Sequence, residues 1–232
     1  MRKLRLPNQR PVLRLLEAAA RRWLGQTRTS HVGDLTLVAP PGVFHPGIFF
    51  STRAMIAWID RQQLRGLRVL DLGSGSGALG IAAARRGALV HAVERNPKAQ
   101  VATLDNAMRN GVQVALHPGD GWSALPAGAR FDLVLCNPPW FEGEARSDAE
   151  LAFRAGEGLA FVDALFAGLA DHLAPGGRLV TVLGASADMD RIAAIAARHG
   201  WTPRPLERRR VGWEQQAIDT WSRRWHAAAA SA

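Results

Sequence analysis

From residue 67 onward the chain alternates short apolar runs with stretches of helical periodicity, and that alternation leaves few folds open. The runs are "LRVLDL", "LVHAVE", "VQVALH", "FDLVLC" and "RLVTVLG", and helical spacing falls between them over residues 78–86, 97–109, 150–173 and 187–199. Continuously apolar runs are strands covered on both faces, and strands joined through helices pair in parallel. The order therefore predicts a parallel sheet with helices on either side. The closing stretch "RPLERRRVGWEQQAIDTWSRR" reads instead as two extended segments around Gly212, an antiparallel hairpin at the sheet edge.

Ahead of this unit, "QRPVLRLLEAAARRWLG" places Val12, Leu16, Ala19, Ala20, Trp23 and Leu24 at helical spacing, which predicts an amphipathic opening helix. "DLTLVAPPGVFHPG" reads as a short strand and a Pro/Gly loop, and "STRAMIAWIDRQQL" as a helix capped by Ser51 or Thr52. The final "AAAASA" is expected to be a disordered tail. The expected division is a helix, strand and loop extension over 1–50, one domain over 51–225 and the tail over 226–232. No apolar run approaches the roughly 20 residues needed to cross a bilayer. The opening "MRKLRLPNQRP" lacks the apolar stretch of a secretory signal, so a cytoplasmic protein is expected, without membrane partners. A single cysteine, Cys136, excludes an internal disulfide framework, and the 7 histidines lack ligand spacing, so no metal is expected. The net charge is +9, with Lys3 and Lys98 the only lysines. Arginine suits phosphates and planar carboxylates, which admits RNA, a ribosomal particle or an acidic protein face as partner. A GC-rich coding sequence produces the same arginine, alanine and glycine bias.

Ligands of open α/β sheets sit at the carboxyl ends of the strands. The first run ends "VLDLGSGSGALG", where Asp71, Gly73, Gly75 and Gly77 form D-x-G-x-G-x-G between a strand and a helix. Such a turn brings backbone N–H groups close to a ligand at a helix N-terminus. In another frame Gly75, Gly77 and Gly80 spell G-x-G-x-x-G, and Glu94 ends the next strand at the distance of a dinucleotide fingerprint. Spacing alone does not separate a nicotinamide cofactor from another adenosine compound. Glu94 serves either, since a carboxylate accepts hydrogen bonds from both ribose hydroxyls; the plain alternative is a solvated charge at a strand end.

These residues resemble those of the class I S-adenosylmethionine-dependent methyltransferases over roughly residues 67–222. The acidic residue two positions before the first glycine, Asp71-Leu72-Gly73, carries the likeness. It implies a doubly wound, Rossmann-like sheet of seven mostly parallel strands with the C-terminal antiparallel hairpin and a short N-terminal helical extension. The cofactor is then S-adenosyl-L-methionine, with its methionine part held by Asp71 and the loop, and its ribose by Glu94. In "PGDGW", Asp120 falls where the family often places a carboxylate near the adenine amine, with Trp122 as its packing partner; a plain turn aspartate is the alternative.

The fourth run leads into Asn137, Pro138, Pro139 and Trp140, similar to the [ND]-P-P-[YFW] signature of methyltransferases that act on planar nitrogen. Such a nitrogen is a poor nucleophile because its lone pair is delocalised, so a site must hold it in line with the methyl group and accept hydrogen bonds from its N–H groups. The Asn137 side chain and the Pro138 carbonyl offer two acceptors, the prolines fix φ near −65°, and Trp140 offers a flat wall. Cys136 reads as the buried end of a strand rather than a nucleophile. Phe50 and Thr52 are expected either to line the pocket or to pack in the core.

The segment 151–184 is similar to that of release-factor glutamine methyltransferases, where a G-x-x-G-L stretch follows the NPP loop. This implies a protein glutamine amide of the translation machinery, in a release factor or ribosomal protein. Trp140 in place of the tyrosine of those enzymes, and the run Arg208–Arg210, suit an exocyclic amine of a base in rRNA or tRNA; a solvated arginine face is the plain reading of the run. A nicotinamide-dependent oxidoreductase leaves Asn137–Trp140 unexplained, and the chain has no tyrosine for a Tyr-x-x-x-Lys pair. A binding module that holds the cofactor without transfer is the remaining alternative.

Overall fold

The computed structural model describes residues 25–47, 50–212 and 214–223. The predicted opening helix up to residue 24, and the tail, lie outside them. The described chain begins with a hairpin of β1 (Arg28–Val32) and β2 (Leu35–Ala39), of which the sequence reading anticipated only the second strand. The alternating unit follows as α1 (Phe50–Ile59), β3 (Arg68–Leu72), α2 (Ala78–Arg85), β4 (Leu89–Glu94), α3 (Pro97–Arg109), β5 (Ala115–Pro118) and β6 (Phe131–Cys136). It continues through the short α4 (Asp148–Leu151), α5 (Ala160–His172), β7 (Leu173–Gly184), α6 (Met189–Arg198), β8 (Trp201–Val211) and β9 (Glu214–Arg223).

Seven strands form one sheet in the order β5-β4-β3-β6-β7-β9-β8. The first five are parallel neighbours, and β9 runs antiparallel to both β7 and β8. The hairpin expected around Gly212 is present, with Gly212 in the left-handed region at φ 61° and β8 on the edge. Successive residues of the central strands point to opposite faces, and both faces are buried. Val69, Leu133, Leu135, Val180 and Val182 pack with Met55, Ile59 and Ile81 on one side. Leu70, Val134, Leu179 and Leu183 pack with Phe166, Leu169, Ile192 and Trp221 on the other. This double burial is why the runs read as apolar without alternation. Strand order reverses between β3 and β6, which opens a crevice at their carboxyl ends.

Three boundaries differ from the sequence reading. The run at 112–117 pairs only over Ala115–Pro118, while Val112 and Val114 pack against the core. The helical pattern over 150–173 is broken at Gly156, Gly158 and Leu159, whose φ values of 81°, 63° and 63° are left-handed. Leu159 is 2% exposed, so its burial holds a conformation that is unfavourable for a non-glycine residue. Ser51 and Thr52 do not cap a helix: both lie inside α1 and are buried.

Polar side chains on the buried face of α3 join the hairpin to the sheet. Asn106 accepts from Val38 N (2.8 Å) and donates to Val38 O (2.8 Å) and Ser76 O (2.9 Å). Asn110 holds Thr36 N and O in the same way at 3.0 and 2.8 Å. Asn106 is fully buried, so Asn106→Ala strands backbone groups of β2 and of the loop before α2. The expected loss is about 2–4 kcal/mol, read as a lower urea midpoint with an unchanged m-value.

Candidate active site

A cavity of about 610 Å³ opens at the carboxyl ends of β3, β4 and β6. Its floor is the loop from β3 to α2, where Gly73, Gly75 and Gly77 have φ of 74°, 57° and 81°. A side chain at any of the three would be strained. A Cβ at Gly73 would meet no protein atom within 4 Å, and one at Gly75 only Phe44 at 3.8 Å; both glycines line the cavity. Gly77 does not: a Cβ there would press on Thr103 at 3.0 Å, so this glycine serves the close packing of the loop on α3.

Two buried carboxylates brace the loop. Glu94 accepts from Gly75 N through Oε2 and from Asn96 N through Oε1, both at 2.8 Å. Asp71 accepts from Gly80 N at 2.7 Å. Burial pushes the Asp71 carboxyl up to about 7, with the negative charge of Glu94 adding to the rise and the Gly80 N–H opposing it. Thr103 Oγ1 donates to Gly75 O at 3.1 Å and lies 3.2 Å from Ser74 Oγ. Thr103 and Asn106 thus hold the loop from beneath, a role missing from the sequence reading. The available signal was two polar residues at positions that helical spacing places on the buried face of 97–109.

On the β4–β5 side, Asp120 is well exposed and pairs with Arg95 at 3.4 Å. Trp122 lies against α5, donating from Nε1 to Ala164 O (3.0 Å) and Leu165 O (3.2 Å) and stacking on His172 at 4.6 Å. A Cβ at Gly168 would stand 2.2 Å from Trp122 Cδ1, so that glycine makes the seat for the indole. Asp120 and Trp122 both line the cavity, as do Gly42, Val43 and Phe44 from the loop before α1.

At the end of β6, Asn137 and Pro139 reach the cavity wall, with Thr52 of α1. Asn137 Nδ2 donates to Ser51 Oγ at 3.1 Å, while Oδ1 is shielded from solvent and has no hydrogen-bond partner. Pro138 and Phe50 are not on the wall, and neither is Trp140. The Trp140 indole packs against the α5–α6 side of the core and donates to Ser186 Oγ at 3.3 Å. Cys136 is fully buried, and burial pushes its thiol far above the ordinary range, so no thiolate nucleophile forms there.

The segment after Trp140 forms a strap along the cavity wall. Phe141 N donates to Phe153 O (3.0 Å), Ala155 N to Phe141 O (2.8 Å) and Gly143 N to Gly156 O (3.1 Å). Glu144, Leu151, Ala152 and Arg154 of this segment line the cavity. Glu142 is gripped at 2.7 Å on both oxygens by Arg191 of α6 and accepts from Gly158 N, which holds its carboxyl down at about 2. Among the described residues no three His, Cys, Asp or Glu side chains gather as metal ligands, and no helix is long and apolar enough to cross a membrane.

The family profile of the methyltransferase small domain matches residues 34–198. A ribosomal protein L11 methyltransferase of Methylococcus capsulatus is 33% identical over 217 residues, which cover 85% of this chain and 66% of that one. A release factor glutamine methyltransferase of Gloeobacter violaceus is 34% identical over 188 residues, covering 74% of this chain and 65% of that one. The chain thus spans just under two thirds of the length of these two relatives. A 16S rRNA N2 G1207 methyltransferase of T. thermophilus, solved with AdoMet and guanosine, shares the fold with a TM-score of 0.63 at 24% identity, over 84% of this chain and 50% of that one. With a glycine-floored cavity at the strand ends and a profile that spans most of its length, the chain belongs to the methyltransferase small domain family.

Proposed function

We propose that the protein is an S-adenosylmethionine-dependent N-methyltransferase acting on a planar nitrogen of the translation machinery, with a glutamine amide of a release factor or ribosomal protein as the acceptor. The observation that carries this reading is one cavity shared by the glycine loop with Glu94 and by Asn137 with Pro139. The residues present fit the cofactor. Gly73 and Gly75 leave space that any Cβ would fill, and Glu94, with one N–H on each oxygen, keeps lone pairs for the ribose hydroxyls. Asp71 and the loop would hold the methionine part, and Asp120 and Trp122 the adenine end. When bound, the cofactor supplies an electrophilic methyl group on a sulfonium.

The remaining work belongs to the chain. Asn137 cannot titrate, so it acts as an acceptor that holds the substrate N–H and stabilises positive charge developing on the nitrogen. Pro138 and Pro139 limit the directions in which the neighbouring carbonyl can point. Trp140 stands off the cavity wall with its N–H engaged by Ser186, so the acceptors carry substrate orientation rather than a stacked indole.

Two observations favour a protein amide over an RNA base. The named relatives include enzymes of a ribosomal protein and of release factors. The arginine run is also partly neutralised within the fold: Arg208 pairs with the buried Asp219 at 2.8 Å, and Arg209 with Glu207 at 3.7 Å. Incubation with labelled S-adenosylmethionine and, separately, release factors, ribosomal proteins, tRNA and rRNA decides between them; label in RNA alone would reverse the preference.

S-adenosylmethionine at 100-fold excess over its Kd is expected to raise the thermal midpoint by roughly 5–10 °C, whereas NADH leaves it unchanged. No shift with S-adenosylmethionine overturns the cofactor assignment. Asn137→Ala should bind cofactor normally and lose transfer by roughly 10²-fold. Trp140→Phe should keep most of its transfer activity, and the reverse ranking of these two variants contradicts the mechanism.

Asp71 gives a pH signature. Its folded value of about 7 stands above the ordinary 3.8, so the protonated carboxyl stabilises the empty fold at low pH and this contribution is lost as pH rises to 7. Relative to Asp71→Asn, which keeps an acceptor for Gly80 N, the wild type should lose up to about 4 kcal/mol between pH 4 and pH 7 and nothing further above it. Parallel stability curves for the two proteins across that window would show that the carboxyl ionises normally.

A further inference from the structure

The geometry points to Ser51 as a positioning residue that ties the Asn137 amide to α1 and holds it in place for the substrate, an inference that rests on the reading of Asn137 as the acceptor for the reacting nitrogen. Ser51 lies on α1, 86 residues from Asn137, and is 2% exposed. Its Oγ accepts from Asn137 Nδ2 at 3.1 Å, while Oδ1 of the same amide is shielded and unpartnered. An amide carries its donors and its acceptor on opposite sides, so engaging one side commits the other.

The hydroxyl can donate as well as accept, so the contact holds the amide in place while the amide's own orientation decides what it offers a substrate. With the amide turned over, the Ser51 hydroxyl would donate to Oδ1, and Nδ2 would be left as the unpartnered group. Two donors would then face each other when a substrate N–H arrived, and an oxygen acceptor would be preferred. In the observed orientation the unpartnered group is an acceptor, which rewards an N–H donor and offers nothing to a carboxylate or ester oxygen. Oδ1 is covered by the protein around it, so a substrate nitrogen reaches it after a local opening of the wall and ends its lack of a partner. Ser51 thereby positions the Asn137 amide from outside the NPPW motif, and it links Asn137 to the helix whose next residue, Thr52, lines the same cavity.

Two measurements test this. In the 15N-labelled protein, the Asn137 side-chain NH2 pair, assigned by its loss in Asn137→Asp, should show one proton protected from exchange. Ser51→Ala should raise that proton's exchange rate at least tenfold and bring the two proton shifts together. Unchanged resonances would overturn the assignment whatever the substrate is. In transfer from labelled S-adenosylmethionine to ribosomal protein L11 or a release factor, Ser51→Ala should lower kcat by about tenfold to a hundredfold, with cofactor Kd unchanged. Ser51→Ala/Asn137→Ala should then match Asn137→Ala within about twofold. Additive losses, or a higher kcat in Ser51→Ala, would refute the positioning role. Full transfer by Asn137→Ala, or label in neither protein, would sink the proposed function, and the NMR result would still decide the role of Ser51.

Discussion

Everything at the strand ends depends on a glycine loop whose N–H groups are held from within the fold: Gly73 and Ser74 by Val93 O, Gly77 by Ser74 O and Gly75 by the buried carboxylate of Glu94. Three alternate left-handed glycines would leave an irregular loop with unsatisfied donors facing the cavity. Val93 O and Glu94 remove that problem from below, while Glu94 also takes Asn96 N ahead of α3 and Asp71 takes Gly80 N in the first turn of α2. Burying two carboxyls side by side is costly, and the structure divides the cost unequally. Glu94 has two backbone donors, while Asp71 has one and holds its proton up to about 7. The loop is preorganised because its donors are held by backbone carbonyls and one carboxylate rather than by water.

The same loop is fastened from a third side by α3, and α3 is fastened to the β1–β2 hairpin. Thr103, Asn106 and Asn110 lie along one side of that helix and serve the loop and the hairpin in turn. The hairpin is therefore part of the support of the cavity floor, although it belongs to a separate two-stranded sheet. Gly77 belongs to this support too, which explains a glycine of the motif that does not reach the cavity.

Much of this was legible in the residues. The five apolar runs became the five parallel strands because the helices on each side bury both faces, and the hairpin at Gly212 was marked by its glycine. Asp71, Gly73, Gly75, Glu94, Asp120, Trp122, Asn137, Pro139 and Thr52 were read as site residues and share one cavity. Trp140 could not be placed from sequence, because its direction depends on where Ser186 falls after β7, a contact across 46 residues. Ser51 was misread for a related reason. A serine near a helix start is usually a cap, and only the tertiary arrangement shows its hydroxyl turned toward Asn137. The break of the predicted helix at 156–159 was marked in part by Gly156 and Gly158, whereas Leu159, apolar and in phase, gave no sign of the left-handed backbone that its burial enforces.

The strap adds a constraint of a different kind. The floor hangs from α3 and the hairpin on one face of the sheet, whereas the strap is anchored to α6 on the other face through Glu142 and Arg191. A bidentate pair of this type is directional, so it fixes the strap in rotation as well as position. It is also half exposed on both sides, at 40% and 48%, and solvent screens it. The cavity thus combines a buried floor with a wall segment whose anchor to α6 is open to water. That asymmetry makes the strap easier to displace than the floor.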